Sequence, residues 1–225
     1  MNAHFDLQHA LIEVRKAYRL IWLYQRRVVD IIRLIPDTLE YRFYHWESEN
    51  FIKRMPFTKK ANPFGEDSWI RATLPLYRMS LLYFPKALEP NVQKTGEWML
   101  EIFVETDTGF SERQDELEPV PIEFKGADQS DTVLRLYAWY CTQDGNLDWF
   151  DIWDNTVWPE HDDEFTFEQP EVPVRIMRKS FELSKLPNQE SVESAVKEFK
   201  RVLSDSLERL TTVPSPHNDR PPTSI

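Results

Sequence analysis

The sequence is poor in the residues that mark the commonest enzyme signatures. It holds one cysteine, Cys141, in 225 residues. That excludes an intrachain disulfide framework and suits a reducing compartment. A lone thiol acts as a nucleophile only beside a paired base, and no such base is evident, so Cys141 reads as a small buried hydrophobe. Only five glycines occur, and no two of them stand in G-x-G spacing. A phosphate-cradling loop needs backbone that approaches its ligand closely, so nucleotide-binding readings are disfavoured. There is no G-x-S-x-G elbow, which disfavours an α/β-hydrolase. No run reaches the roughly 18 apolar residues that a membrane helix needs. Asp6, His9 and Glu13 stand where a signal peptide would carry a clean apolar stretch. The expectation is a cytoplasmic protein with no membrane partner and no cofactor.

What the sequence does have is a long apolar seam near its start. Leu7, Leu11, Val14, Tyr18, Ile21, Gln25, Val28, Ile32 and Ile35 follow 4-3-4-3 spacing without a break. That period belongs to one helix, expected over about 5–35 and ended by Pro36, with Asp37 capping a short turn beyond. Ile12, Leu20, Trp22, Leu23, Val29 and Ile31 lie off the seam, a width that suits packing on more than one side. The polar side is basic, with Arg15, Lys16, Arg19, Arg26, Arg27 and Arg33. A second seam, Val192, Val196, Phe199, Leu203, Ser206 and Leu210, predicts a helix capped by Asn188 and running to about Leu210.

Between the helices the pattern turns to strands. Trp98–Glu105, Thr132–Thr142 and Val172–Phe181 read as strands, the last an edge strand because Pro173 stands at its start. Val120–Phe124 reads as a short edge strand. Asp144-Gly145 has the type I′ hairpin signature, which predicts that Asn146–Trp153 returns antiparallel. Residues 37–95 resist assignment. They hold an aromatic stretch at Tyr41–Phe51, a loop at 53–65, and a segment at Ser68–Leu82 that is either a helix broken by Pro75 or strand pieces. The fold class is therefore α+β, with an antiparallel sheet of about 4–5 strands packed against long N-terminal and C-terminal helices. Residues 1–210 form a single domain and 211–225 a disordered proline-rich tail. A homodimer through one helix is the alternative to burying both seams within the chain.

Charge is divided unevenly within a net of −11. Residues 1–60 carry eleven Lys/Arg against seven Asp/Glu, whereas residues 101–175 carry four against twenty. The acidic half repels phosphates, which argues against nucleic acid at that face and favours a basic protein partner. Its most distinctive stretch interleaves aromatics with acids: Trp149, Asp151, Trp153, Asp154, Trp158, Glu160, Asp162 and Asp163. Aromatics anchor interfaces, and surrounding carboxylates add selectivity for cations. The competing reading places the tryptophans in the core and the acids on a wet face.

Two weaker motifs carry metal chemistry. An acid, Asp107 or Asp115, followed by Glu123-Phe124-Lys125 resembles the PD-(D/E)xK nuclease core. Such a resemblance implies a divalent ion held by Asp107 and Glu123, with Lys125 stabilising the attacking water. The stretch lacks the family's Pro-Asp pair, reads as strand where that family has a helix, and lacks a basic groove. Asp144–Asp148 resembles the opening of a calcium loop, but Trp149 and Asn155 stand where the turn glycine and the bidentate glutamate belong. His161–Glu164 offers adjacent ligand types that an extended loop points in alternating directions. These motifs assign no metal. The leading expectation is a non-enzymatic interaction or regulatory protein whose acidic-aromatic surface engages a basic macromolecule. The alternatives are a metal-dependent phosphodiester hydrolase using Asp107, Glu123 and Lys125, and a structural subunit of a larger assembly held through the basic N-terminal helix.

Overall fold

The computed structural model describes residues 7–48, 78–86, 92–110, 124–147, 149–159, 161–166 and 172–212. Helix α1 spans Leu7–Leu39 and is followed by strand β1, Tyr41–Ser48. Strands β2 (Arg78–Pro85), β3 (Trp98–Glu105) and β4 (Val133–Cys141) precede a short helix α2, Trp149–Asn155. Strand β5 (Val174–Glu182) and helix α3 (Gln189–Thr212) complete the order. The five strands form one sheet in the order β1-β2-β3-β4-β5, every neighbouring pair antiparallel. The fold is α+β, with both long helices on one face of that sheet.

That face is built by alternation. Leu100, Ile102 and Val104 of β3, Leu134, Leu136 and Ala138 of β4, and Met177 of β5 all point to it. They meet Val28, Ile31, Ile32, Ile35 and Leu39 of α1 and Val192, Val196, Phe199 and Leu203 of α3. The Phe199 ring packs edge-on against Trp98, with centroids 5.9 Å apart. The start of α3 is capped as its sequence indicates. The Asn188 Oδ1 accepts the Ser191 N–H at 2.9 Å, and the Ser191 hydroxyl returns a bond to the Asn188 carbonyl.

Four expectations need correction. Helix α1 does not end at Pro36; it continues to Leu39 and stops where Glu40 adopts a left-handed φ of 58°. The extra turn carries Leu39 into the core beside Tyr41, and the Thr38 hydroxyl donates to the Leu34 carbonyl. Asp37 is no side-chain cap there: its backbone carbonyl accepts the Glu40 N–H. The Asp144-Gly145 hairpin does not form. The Gly145 backbone exchanges both hydrogen bonds with Gln93, the Gln93 side chain holds the Leu147 N–H and carbonyl, and the Asp144 carboxylate holds Thr95. Those bonds turn the chain away from β4, whose free edge is taken by β5. In place of a returning strand the chain forms helix α2, because Trp149, Ile152 and Trp153 recur at i, i+3 and i+4, the spacing of one helix face. Of the expected strand 120–124, only Phe124 is described, and it lies in a bend. Residues 49–77 and 213–225, with the expected loop at 53–65 and most of the proline-rich tail, lie outside the described residues.

Helix α1 lies antiparallel along β3. At one end the Tyr41 hydroxyl donates to the Trp98 carbonyl; at the other the Tyr24 and Thr106 hydroxyls bond at 2.9 Å. Arg27 reaches the Leu186 carbonyl ahead of α3. Everything before Tyr24 therefore runs past the end of the sheet, an overhang of about 25 Å at roughly 1.5 Å per residue. The seam divides there. Val28 is fully buried, whereas Tyr18 is 68% exposed. Truncating Ile32 to alanine is expected to cost about 2–5 kcal/mol in denaturant unfolding, and truncating Leu20 less than about 0.5 kcal/mol, although both are large aliphatics of one helix.

Candidate functional site

The opposite face of the sheet is covered too. Leu82, Phe84, Met99, Phe103, Tyr137, Trp139, Cys141, Val174 and Ile176 pack beneath Trp149, Ile152 and Trp153 of α2. Trp158 closes this layer, with its ring against those of Tyr137, Trp139, Phe103 and Trp153 at centroid distances of 5.0 to 6.3 Å. The Thr156 hydroxyl bonds back to the Ile152 carbonyl and holds the end of α2. So the expected binding aromatics Trp149 and Trp153 are core residues, 2% and 7% exposed, and Trp158 is half-buried among them. They present little ring surface to a partner.

The acids of the same stretch divide into two sets. Asp151 and Asp154 lie exposed on the outer side of α2, near the exposed side chains of Leu147 and Val157. Asp162 and Asp163 turn inward toward β5. The Asp162 carboxylate accepts the Arg178 Nε at 2.6 Å and both the backbone N–H and the hydroxyl of Ser180. Asp163, held at a left-handed φ of 65°, pairs with Lys179 at 3.0 Å, and Lys179 also reaches Glu198 of α3. Those two bonds outweigh the effect of burial and raise the Lys179 pKa. The segment is stitched to β5 by the Asp163 N–H on the Arg178 carbonyl and the Thr166 N–H on the Ile176 carbonyl. It therefore fastens a sheet edge through ion pairs that already hold Asp162 and Asp163. Glu160 lies outside the described residues.

Beneath this cover runs a strip of buried charge that composition did not reveal. The Glu105 carboxylate, with 2% side-chain exposure, is bridged by Arg78 at 2.9 Å and Arg135 at 2.7 Å. Both guanidiniums also sit over the Phe103 ring, 5.7 and 5.4 Å from its centroid. Earlier on the same strand, Glu101 is fully buried and accepts the Trp139 indole N–H at 2.9 Å. Burial, reinforced by the Glu101 charge, raises the Tyr137 pKa. The signal available in sequence was Glu101 and Glu105 in an otherwise apolar strand, with Arg135 on the strand paired with it. Carboxylates enter a sheet core only when they are paired. A clamp of this kind fixes strand register.

The nuclease-like residues are only partly placed. Asp107 follows β3, and its carboxylate accepts the Gly109 N–H at 2.8 Å. Gly109 sits where an added Cβ would lie 3.2 Å from the Lys125 carbonyl, so the Asp107 and Lys125 segments are neighbours. Glu123 lies outside the described residues. Among the described residues no group of three His, Cys, Asp or Glu side chains is arranged to hold a metal ion.

A larger feature lies at the overhanging half of α1. Leu11, Ile12, Val14, Tyr18, Leu20, Trp22 and Leu23 are each between 38% and 69% exposed, and Arg15, Lys16, Arg19, Arg26 and Arg27 stand among them. Scattered exposed apolar side chains are ordinary, but seven on one helix form a patch of the kind that marks an interaction surface. The body end from which this arm projects carries exposed Asp128 and Asp131 and half-buried Asp107 at the strand ends, with exposed Lys125 in the same loop. A cleft of about 490 Å³ lies at the arm's root, between Arg27 and Ile31 of α1 and Asp131, Thr132, Leu183 and Leu186. No helix among the described residues is long and apolar enough to cross a membrane.

The family model described as PM0109 matches residues 4–208, which takes in the arm as well as the body. The chain is similar to the Uncharacterized protein PM0109 of Pasteurella multocida (strain Pm70), with 25% identity over 211 residues that make up 91% of this chain and 98% of that one. No solved structure matches.

Two outcomes check these assignments. Glu105→Ala leaves Arg78 and Arg135 facing each other without their anion. It is expected to lower unfolding stability by about 2–3 kcal/mol, less than a fully buried pair would lose because both guanidiniums keep some contact with water. Asp154→Asn, at an exposed position, should change it by less than about 0.5 kcal/mol. At the other edge of this layer, burial and the nearby Glu97 charge push the Cys141 thiol up to about 12. Burial, with Asp37 adding, pushes the Tyr83 hydroxyl up to about 12. Each group holds its proton more tightly folded than unfolded. Their contribution is therefore complete below about pH 9 and drains away as pH rises toward about 12. Alkaline unfolding monitored by circular dichroism should fall in that window, and native Cys141 should resist thiol reagents at neutral pH.

Proposed function

We propose that this chain, which belongs to the PM0109 family, is a non-enzymatic interaction protein whose contact element is the helical arm before Tyr24. One observation carries this reading: a basic helix, apolar on most of its circumference, leaves the body with its large side chains uncovered while its own seam continues into the core. A helix of that length standing alone in water gains little from propensity and is stabilised chiefly by packing its apolar face. Two sequence expectations change their weight. The acidic-aromatic stretch gives its tryptophans to the core and Asp162 and Asp163 to ion pairs, while exposed Asp154, Leu147 and Val157 form a rim for a secondary contact with a basic group. The hydrolase reading gains no support from the described residues. The role of an assembly subunit held through the N-terminal helix gains most, and its single buried thiol suits the reducing cytoplasm.

The test separates arm from rim. In size-resolved lysate of the native host, the wild-type chain is expected in a species larger than its monomer. Leu11→Glu with Tyr18→Glu should return it to monomer size, and Asp151→Asn with Asp154→Asn should leave it unchanged. A large species that survives the arm substitutions would contradict the reading.

A further inference from the structure

We infer that the arm's partner is a second copy of this chain, and that the two α1 arms pair antiparallel over residues 7–25. The inference rests on the arm being the contact element and adds the identity and geometry of what covers it.

Three observations support a second copy. The first is the period. The arm continues the 4-3 spacing of the buried seam through Leu11, Val14, Tyr18 and Ile21. A repeat of about 3.5 residues keeps one stripe facing another helix over its whole length. The flank beside that stripe carries Ala10 and Ala17, small enough to let a second helix approach. Gln25, the one polar seam position, falls at the junction where the chain's own body takes over as cover.

The second observation fixes direction. Val28, Ile32 and Ile35 extend the arm's stripe and are buried against the chain's own sheet and α3. The body therefore occupies the same side of α1 that the arm leaves open. A parallel partner would drive its body into this one. An antiparallel partner lays its arm along the open stretch, stops at this body's end, and carries its own body beyond residue 7. Summing seam positions under that arrangement sets Leu11 against the partner's Ile21 and Val14 against the partner's Tyr18, with every seam residue from Leu7 to Gln25 matched to another.

The third observation is charge and size. Antiparallel overlap brings the positive N-terminal end of each helix to the end of the other body that carries Asp107, Asp128 and Asp131. Burying the exposed seam of both arms removes on the order of 1,000 Å² of surface, about the least that a biological interface clears.

The test uses the full-length purified chain. Sedimentation equilibrium should give a dimer at micromolar concentration, and Leu11→Glu with Tyr18→Glu should weaken it at least a hundredfold while leaving the circular dichroism of the body intact. Mixing Leu11→Cys with Ile21→Cys under mild oxidation should yield a heterologous disulfide dimer, and neither variant alone should cross-link. Homologous cross-links from each variant would overturn the antiparallel geometry. A monomer that binds vesicles of phosphatidylcholine and phosphatidylserine through the arm would overturn the second copy in favour of a lipid surface. A purified monomer alongside a persistent arm-dependent species in lysate would overturn the second copy while sparing the arm. Loss of both would remove the arm's role altogether.

Discussion

The interior seam of α1 sets the terms for the rest of the molecule. Val28, Ile31, Ile32 and Ile35 can leave water only against the β3–β4 centre of the sheet and the first turns of α3. That contact clamps α1 along β3 between the Tyr24–Thr106 and Tyr41–Trp98 hydrogen bonds. Because the sheet is only about as long as its eight- or nine-residue strands, a helix of 33 residues must overrun it. The arm is thus a geometric consequence of one helix being longer than the layer that buries it, and its apolar side chains need a cover that the strands cannot reach.

With α1 and α3 on one face, the sheet's second face also needed a cover, and the chain supplies it with little secondary structure. Seven residues of α2 and the Trp158 loop carry enough ring area to seal it. Sealing that face traps Glu101 and Glu105, which explains why each has a specific donor and why Arg78 and Arg135 sit over Phe103. The cost of desolvating these charges is tolerable only with such pairing. The arrangement favours one register among β2, β3 and β4, since a one-residue slip would move every charge to the face lined by α1 and α3.

The parts that local pattern dictates were legible in the sequence. The helices follow from their seams, α3 from Asn188 and its capping serine, β3 and β4 from dense β-branched and aromatic runs, and β5 from a sparser one. What escaped depended on tertiary pairing. Strand β1 is disguised by a register shift between Phe43 and His45 that breaks its alternation. Strand β2 is nearly continuous in apolar residues because both its faces are covered, so it shows no period. The Asp144-Gly145 signal failed because Gln93, distant in sequence, competes for the same backbone. At the site, an acid between two tryptophans fits an interface and the outer turn of a covering helix equally well. Only burial separates these, and burial is a property of the whole fold. The uncovered arm was half visible: the seam's period was plain, but the place where the sheet stops beneath it was not.

Amide hydrogen exchange along α1 over a dilution series tells a helix covered by a second copy from one covered by its own chain. Slow exchange is expected at residues 28–39 at every concentration, and at residues 8–20 protection that is strong in concentrated solution and fades on dilution. Protection of 8–20 that is equally strong at the lowest concentration would mean that the chain itself covers the arm, and would rule out the second copy.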